Sequence, residues 1–305
     1  MGSHLTERLV TAGHKLYVLD NFSTGRMDNL SGIRSSRNLK IVKGDIRRIH
    51  RALTKMPKRI DAICHLAAVT SVQQSIRKPI LTTEVNLTGT LQVLEAARKL
   101  DADRVVFASS AAVYGTPRAF PIREDANISP ISPYGASKAA SELYLRAFEE
   151  NHKIEAVSLR YFNVYGPRQT ASQYSGVISI FAKRALNQQP LQIFGDGSQT
   201  RDFIFVSDVV DATMASLEMT PENRTFNIAS GNETTILELA KVVQRITGSP
   251  TGLEFLPPRT GDIPRSVADT ARAKKELGFE ARTSLEDGLS ATIGWFMRQK
   301  RTKPA

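Results

Sequence analysis

The sequence predicts an α/β protein, in which a doubly wound parallel sheet is followed by a smaller C-terminal lobe. Short apolar runs alternate with longer amphipathic stretches through the first half of the chain. This alternation is typical of parallel strands joined by crossover helices that cover both faces of a sheet. The length of 305 residues fits two units of about 150 residues each. Turn-rich segments at 195–198 and 257–262 indicate where the second unit lies.

The individual elements follow from the spacing of apolar residues. Strands are predicted at Lys15–Asp20, Leu39–Asp45, Asp61–Ala68 and Arg104–Ser110. Helices are predicted at Leu5–Ala12, Thr82–Leu100 and Tyr134–Asn151. We assign residues 1–165 to the sheet domain and residues 166–305 mainly to the smaller lobe, with the chain crossing between them. Ligands of such sheets bind beyond the carboxyl ends of the strands, where Asp20, Asp45, His65 and Ser110 stand.

The composition excludes several classes of protein. Hydrophobic residues make up 41% and charged residues 23%, which is ordinary for a globular protein. No apolar stretch predicts a membrane helix and no secretory leader is visible, so a membrane partner is not expected. Cys64 is the single cysteine, which excludes a disulfide framework and a multi-cysteine zinc site and favours a reducing cytoplasm. No second ligand is spaced near His65, so no metal site is predicted.

The net charge is +11, from 41 basic and 30 acidic residues. The basic residues are scattered, and no zinc-finger, basic-zipper or RNA-recognition signature accompanies them. We therefore do not expect a nucleic-acid partner. A solvated basic surface of this kind also suits an anionic small substrate.

Tyr134 and Lys138 lie four residues apart and therefore on one face of a predicted helix. A phenol ordinarily has a pKa near 10. A nearby ammonium group favours the phenolate, which makes tyrosine a usable general base. The pair alone is a weak signal, because this spacing is common by chance.

Ser110 and Asp20 carry two further signals, each with an ordinary alternative. The Ser110 hydroxyl ends a predicted central strand, where it can bond a reacting oxygen beside Tyr134 or simply form a turn. Asp20 ends another strand and can hold both hydroxyls of a dinucleotide ribose. An Asp-Asn pair is also common in solvated turns.

Together these segments resemble the extended short-chain dehydrogenase/reductase family, and within it the nucleotide-sugar 4-epimerases. The resemblance covers essentially the whole chain, and its motifs stand in the family's order. They are Asp20–Gly25, Gly44–Ile46, His65–Ala68, Asn86, Phe107–Gly115, Tyr134–Lys138, Leu159–Arg168, Gly195–Phe203 and Arg259–Asp262. The fold that this resemblance implies is a Rossmann-like doubly wound sheet.

The resemblance implies NAD as the cofactor, because an acid at Asp20 disfavours the 2′-phosphate of NADP. In the family, Asp20 matches the residue on the adenosine ribose, and Asp45 and Ile46 match those that flank the adenine. Lys138 matches the residue that bonds the nicotinamide ribose and tunes Tyr134. The cofactor-binding residues implied in this way are Gly2, Asp20, Asn21, Ser23, Thr24, Gly25, Asp45, Ile46, Leu66, Ala67, Ala68, Asn86, Ser109, Tyr134, Lys138 and Tyr161.

The resemblance also implies a UDP-hexose substrate. The residues that it assigns to this substrate are Ser110, Tyr134, Asn163, Arg201, Arg259, Asp262 and Ser266. Arg201 and Arg259 match positions that hold the diphosphate, a role that suits the planar guanidinium, although either arginine alone could form a surface salt bridge. Ser266 matches a gatekeeper position, where a small residue leaves room for UDP-GlcNAc and UDP-GalNAc beside UDP-Glc and UDP-Gal.

Ser110, Tyr134 and Lys138 are the catalytic residues that the resemblance implies. Similar dehydratases carry Asp-Glu after the catalytic hydroxyl, and similar decarboxylases carry a Glu. Here Ala111 and Ala112 follow Ser110, which favours a plain oxidation–reduction cycle, that is, C4 epimerisation through a 4-keto sugar. Dehydration, epimerisation of a uronate and an inactive nucleotide-sugar-binding chain stay open as alternatives. The helices Thr82–Leu100 and Tyr134–Asn151 resemble the family's dimerisation pair, so we expect a homodimer, although their apolar faces could equally be core.

The N-terminus departs from the family pattern, which opens with a strand and a Gly-x-x-Gly-x-x-Gly loop. Gly2 matches the last of these glycines, although Gly2-Ser3-His4 also fits a cloning remnant. Without the first strand, the resemblance predicts two unpaired strand edges. It also predicts that, of the groups that usually bind the pyrophosphate in this family, only the helix N-terminus is present. A fragment, a misassigned start codon and an inactive chain are the explanations that follow.

Overall fold

The computed structural model describes residues 1–169, 176–258 and 263–301, the last of these without its side chain. The strands of the N-terminal half are β1 (Leu16–Asp20), β2 (Leu39–Lys43), β3 (Ala62–His65), β4 (Arg104–Ser110) and β5 (Glu155–Tyr161). Those that follow are β6 (Asn163–Tyr165), β7 (Leu191–Phe194), β8 (Thr200–Phe205), β9 (Thr225–Ile228), β10 (Glu233–Thr235) and β11 (Leu253–Leu256).

The helices complete an alternating α/β order. They are α1 (Gly2–Thr11), α2 (His50–Leu53), α3 (Val72–Arg77), α4 (Pro79–Thr83), α5 (Gly89–Lys99) and α6 (Pro133–His152), then α7 (Val177–Leu186), α8 (Val206–Glu218), α9 (Ile236–Thr247), α10 (Ala271–Leu277) and α11 (Leu285–Arg301). A π-helical turn, Glu84–Thr88, joins α4 to α5. Short 3-10 turns occupy Met27–Leu30, Ile46–Arg48 and Ala111–Tyr114.

The largest sheet is parallel and has the strand order β3-β4-β5-β9. Its two faces follow from the alternation of side chains along β4. Phe107 packs on one face in a core with Leu94 of α5 and Leu145 of α6. Val106, its neighbour, packs on the other face with Val209 of α8. Helices thus cover both faces, which confirms the predicted Rossmann-like α/β fold.

A second parallel sheet contains β1 and β2 alone, in register from Leu16 opposite Leu39 to Asp20 opposite Lys43. Within the described residues, neither β1 nor β3 has a partner on its other edge. The expectation of two unpaired strand edges is therefore confirmed. Helix α1 packs through Leu5 against Val210 of α8 and Leu66, which follows β3.

The C-terminal lobe contains two small sheets, with the orders β10-β8-β6 and β11-β7. Its core joins Phe181 of α7, Ile193 of β7, Leu239 of α9 and Ile293 of α11, all fully buried. Between these elements, β9 pairs with β5 in the largest sheet. The chain therefore crosses back after residue 165, and the boundary at that residue stays a prediction.

Most of the predicted elements are present, with shifted ends. The strand predicted at Asp61–Ala68 ends at His65, so that residues 66–68 are free to form a loop. The helix predicted at Thr82–Leu100 starts earlier, at Pro79, since proline suits the first turn of a helix. Across the parts of the chain that the structure describes, no helix has the length and hydropathy needed to cross a membrane.

Candidate active site

Ser110 and Tyr134 meet at the carboxyl end of the central strand β4. Ser132 caps α6 by accepting a hydrogen bond from the Gly135 amide at 3.1 Å, so Tyr134 lies in the first turn. A Cβ on Gly135 would collide with the carbonyl oxygen of Ala112. Glycine therefore lets α6 approach the turn that follows Ser110. The nearby Ser110 hydroxyl lowers the pKa of Tyr134, whereas burial has the larger effect and raises that pKa.

Lys138 lies one turn further along α6, with only 3% of its surface exposed. Its Nζ donates to the Ala108 carbonyl at 2.6 Å and lies 6.0 Å from the centre of the Tyr134 ring. Burial lowers the pKa of Lys138 to about 7, and Glu142 opposes that shift. The structure thus brings Ser110, Tyr134 and Lys138 together, as a general-base arrangement requires.

The surroundings of this triad are alanine on one side and a neutral histidine on the other. Ala112 donates its amide to the Ser110 hydroxyl oxygen at 3.2 Å, and Ala111 and Ala112 bring no acid or base to that end of β4. Burial lowers the pKa of His65 to about 3, and its Nε2 bonds the Thr90 hydroxyl at 2.9 Å. His65 is therefore uncharged at neutral pH and acts as a packing residue.

The loop after β1 gathers the residues predicted to bind the adenosine end of the cofactor. Asp20 accepts a hydrogen bond from the Phe22 amide at 2.7 Å. Asn21 accepts one from the Ser23 amide at 2.9 Å, and Thr24 follows in the same exposed turn. A Cβ on Gly25 would lie 3.0 Å from the Asp20 carboxylate. Glycine therefore keeps the approach to that carboxylate open.

Asp45 and Ile46 close the same end of the small sheet. The Asp45 carboxylate accepts hydrogen bonds from Arg47 Nε at 3.0 Å and from Asn21 Nδ2 at 3.1 Å. Its pKa is held well below the usual range, mainly by the Arg47 guanidinium. Ile46 is buried and would contact any side chain at Gly89 of α5. Asp20, Asn21 and Asp45 thus form one polar cluster where β1 and β2 end.

Asn86 ties the loop after β3 to the catalytic helix. It sits in the π-helical turn and is buried. Its Oδ1 accepts from the Val69 amide at 2.7 Å, and its Nδ2 donates to the Val69 carbonyl at 3.0 Å and to Ser137 Oγ at 3.1 Å. Both amide hydrogens are thus used within the protein. The contacts support a role in holding the loop, and a direct cofactor contact stays a prediction.

The loop that Asn86 holds contains Leu66, Ala67 and Ala68, each partly exposed. A Cβ on Gly2 would lie 3.8 Å from Leu66 Cδ1. The N-terminus of α1 therefore lies beside the carboxyl end of β3. The unpaired amides of a helix N-terminus favour phosphate, which suits the predicted cofactor-binding roles of Gly2 and Leu66.

Two predicted cofactor residues point into the protein. Ser109 is buried, and its hydroxyl donates to Glu142 Oε1 at 2.5 Å. Tyr161 is also buried, and its hydroxyl bonds Thr213 of α8 at 2.9 Å. Their cofactor contacts stay predictions. Glu142, which the sequence analysis did not single out, lies four residues after Lys138, and this spacing was the signal that could have found it.

The predicted substrate residues lie on the lobe side. Asn163 starts β6 and is exposed. Arg201 of β8 donates through NH1 to the carbonyl of Ile263 at 2.8 Å. Ser266 is buried, with 3% of its surface exposed. Arg259 and Asp262 fall outside the described residues.

Asp202 fixes the chain around Ser266. It is fully buried and accepts hydrogen bonds from the amides of Ser230 at 2.8 Å, Gly231 at 3.0 Å and Ala268 at 3.2 Å. Ile122 donates its amide to the Val267 carbonyl at 2.8 Å. Ser266 is therefore held on a rigid segment between β8 and the chain that follows β4.

Metal chemistry receives no support from the residues that the structure describes. Among them, no three His, Cys, Asp or Glu side chains come together as a metal-binding group. The thiol of Cys64 is free, and burial raises its pKa to about 12. A thiol of this kind is unreactive at neutral pH.

Relatives of known activity match nearly the whole chain. The family model described as GDP-mannose 4,6 dehydratase matches residues 1–292. UDP-glucose 4-epimerase of Mycolicibacterium smegmatis is 38% identical over 304 residues, which cover 99% of this chain and 96% of that protein. UDP-glucuronic acid decarboxylases are also among the relatives. Family membership alone therefore leaves the reaction open.

Solved structures of nucleotide-sugar epimerases also match nearly the whole chain. UDP-glucose 4-epimerase of Thermotoga maritima, determined with UDP-glucose, has a TM-score of 0.92 at 36% identity and covers 98% of this chain and 96% of its own. UDP-glucose 4-epimerase of Thermus thermophilus, in complex with NAD, has a TM-score of 0.88 at 34% identity and covers 97% and 95%. These neighbours confirm NAD as the cofactor of the family. The chain belongs to the NAD-dependent epimerase/dehydratase family within the short-chain dehydrogenases/reductases.

Proposed function

We propose that this protein is an NAD-dependent 4-epimerase of a UDP-hexose. The observation that carries the proposal is the arrangement at the end of β4. Tyr134 lies close enough to Ser110 for the serine hydroxyl to lower its pKa, with Lys138 one helical turn away and buried. Ala111 and Ala112 follow Ser110. A base and its cation are thus present without the additional acid–base pair that dehydration needs.

The residues act in a defined order on the substrate. Tyr134, as the phenolate stabilised by Lys138, removes the proton of the sugar 4-hydroxyl, which Ser110 holds in place. Bound NAD supplies the hydride acceptor for C4 and the donor for its return. The diphosphate stays bound near Asn163 and Arg201 while the 4-keto sugar turns to present its other face. Because the hydride returns to that other face, C4 has the opposite configuration when Tyr134 gives the proton back to its oxygen.

The residues at the ends of β1 to β3 fit an NAD molecule of the proposed kind. The Asp20 carboxylate is open on the Gly25 side, and an acid there accepts both ribose hydroxyls but repels a 2′-phosphate. The α1 N-terminus beside Leu66 suits the pyrophosphate. Cofactor retention is the first point to test.

The substrate range is the second part of the proposal. Ser266 is a small residue held on a fixed segment, and the resemblance to the family favours room for an N-acetyl group at this position. We therefore include UDP-GlcNAc and UDP-GalNAc with UDP-Glc and UDP-Gal. Epimerisation of a UDP-uronate is the competing reaction, and it is tested with the same assay.

A homodimer is the assembly that we propose. Several large apolar side chains on α3, α4 and α6 are exposed: Val72, Ile76, Ile80, Leu143 and Tyr144. An apolar face of this kind is typical of a protein–protein contact. We propose that α3 and α4 contribute to this contact beside α6, and the predicted pair Thr82–Leu100 and Tyr134–Asn151 stays a prediction. The cytoplasmic location favoured by the single cysteine stays a prediction.

The test has two steps on the purified chain. The nucleotide released by denaturation is first identified by mass and its amount is compared with that of protein. UDP-Glc, UDP-GlcNAc and UDP-GlcA are then incubated separately with the NAD-supplemented protein, and the products are separated by anion exchange. Formation of UDP-Gal or UDP-GalNAc supports the proposal. Conversion of UDP-GlcA alone, a dehydrated or decarboxylated product, or no conversion refutes it.

A further inference from the structure

A buried ion pair lies directly behind Lys138. Glu142 follows Lys138 by one turn of α6, and Arg160 lies on β5. Their side chains are only 7% and 4% exposed. Arg160 Nε donates to Glu142 Oε1 at 3.0 Å, and its NH2 donates to Oε2 at 2.7 Å. Two parallel hydrogen bonds of this kind fix the carboxylate in direction as well as in position.

The arginine of this pair is held from further sides. Its NH1 donates to the Tyr114 hydroxyl at 2.9 Å and to the Glu124 carbonyl at 2.9 Å. Tyr114 in turn donates to Asn227 Oδ1 at 2.6 Å. A buried charge is costly unless it is fully hydrogen-bonded. This network meets that requirement, so the Glu142 and Arg160 side chains are held in one position.

The Glu142–Arg160 pair is hydrogen-bonded to β4, the strand that carries Ser110. Glu142 accepts the hydroxyl hydrogen of Ser109 at 2.5 Å, while Lys138 donates to the carbonyl of Ala108 at 2.6 Å. Two residues of α6, one turn apart, therefore hydrogen-bond to consecutive residues of β4. The next residue of β4 is Ser110, the partner of Tyr134.

We propose that Glu142 is a positioning residue of the active site, which sets Lys138 against Tyr134 and supplies the negative charge that keeps Lys138 protonated. The proposal rests on the function proposed above. Glu142 touches neither substrate nor cofactor in this scheme and acts through Lys138 and Ser109.

The charged groups around Lys138 make Glu142 its principal counter-ion in the described structure. Tyr134 and Glu142 face it from α6, and His65 faces it from β3, neutral at working pH because its pKa is about 3. Arg160 of β5 lies beyond the Glu142 carboxylate that pairs with it. On the β4 side, Lys138 Nζ lies 4.6 Å from the centre of the Phe107 ring and contacts the Ala108 carbonyl. Loss of the Glu142 charge therefore removes the main attraction that favours protonated Lys138, and it also leaves Arg160 without its carboxylate.

This arrangement predicts a specific change in the pH profile. The active form has Tyr134 deprotonated and Lys138 protonated. Burial lowers the pKa of Lys138 to about 7 and raises that of Tyr134, so the lysine proton leaves first. At low pH, the active fraction depends only on the Tyr134 proton. Above the pKa of Lys138, which is the midpoint of the profile, most molecules have lost the Lys138 proton and kept the Tyr134 proton. The active fraction then no longer rises with pH, and kcat reaches a plateau.

Removing the Glu142 charge lowers the pKa of Lys138, since an opposite charge favours the charged form. The rate at low pH then stays the same, the midpoint of the rising limb moves to lower pH, and the plateau falls. The two changes are linked, because a shift of one pH unit in the midpoint accompanies a tenfold lower plateau. A merely structural loss scales the whole curve by one factor.

The experiment compares pH profiles of kcat for the NAD-saturated wild type, E142Q, and the double variant E142Q/R160Q. The double variant removes both buried charges, so it avoids leaving Arg160 unpaired if E142Q fails to fold. E149Q is the matched control, since Glu149 lies on the same helix and pairs with Arg224 near the surface.

We expect the midpoint to fall by about one pH unit in E142Q, with a tenfold lower plateau, and to fall by less in E142Q/R160Q, because the double variant also removes a positive charge. KM and the E149Q profile should stay unchanged. A profile that is unaltered, or scaled equally at every pH, overturns the proposal. The two proposals fail separately. A wild type without turnover on any UDP-hexose counts against the epimerase function, whereas an active wild type with uniformly scaled variants counts against Glu142 alone.

Discussion

Replacing Lys138 by methionine tests the general-base assignment most directly. The ammonium nitrogen lies 6.0 Å from the centre of the Tyr134 ring. At an effective dielectric constant of about 20, a charge pair at this separation is worth about 2.8 kcal/mol, which corresponds to roughly two pKa units. Because the cation stabilises the phenolate, its removal raises the pKa of Tyr134. We therefore expect kcat near neutral pH to fall about 100-fold in Lys138→Met.

The assay is the interconversion of UDP-Glc and UDP-Gal, measured as a pH–rate profile with saturating NAD. The rate of Lys138→Met should still increase with pH where the wild type has levelled off. Lys153→Met is the control, since Lys153 is exposed just beyond the same helix. The Ala108 carbonyl loses its donor, at a cost of about 1–3 kcal/mol of stability, so folding is checked by thermal melting. A variant profile with the wild-type shape refutes the electrostatic role.

Three further changes test other parts of the scheme. Tyr134→Phe should lower kcat by about 10²- to 10⁴-fold with the NAD content unchanged by mass analysis; wild-type turnover contradicts its role as base. Ser266→Tyr should raise KM or abolish turnover for UDP-GlcNAc but not UDP-Glc in the product assay, and equal loss on both removes the gatekeeper role. Ile80→Glu with Leu143→Glu should give monomers in sedimentation velocity, whereas Phe255→Glu, exposed on β11, should not; an unchanged dimer places the contact elsewhere.

The sequence was informative where chemistry and spacing coincide in one element. The Tyr134–Lys138 spacing predicted a shared helix face, and the structure confirms the helix and brings both side chains to the end of β4. Apolar spacing could not distinguish strand from loop beyond His65, because Leu66, Ala67 and Ala68 are also apolar. That choice depends on Asn86, which lies on another element and holds the chain at Val69.

Long-range partners were beyond the reach of sequence patterns. Glu142 and Arg160 each resemble ordinary surface charges in the sequence, and they pair only because α6 packs across β4 and β5. The need for glycine at position 135 likewise follows from the Ala112 carbonyl, which lies on a different element. The unpaired edges of β1 and β3 were expected from the resemblance to the family, since no local pattern indicates a missing neighbour.

The parallel strands are divided between two sheets, and the proposed NAD site takes residues from both. Asp20, Asn21 and Asp45 stand on the two-stranded piece, whereas Tyr134 and Lys138 stand on the four-stranded piece, and in the described residues no strand pairing joins the two. A dinucleotide in the proposed position would contact both sheets and link them. A ligand that binds only the folded state stabilises it by mass action. In the proposed site, NAD would therefore stabilise the folded enzyme as well as carry the hydride chemistry.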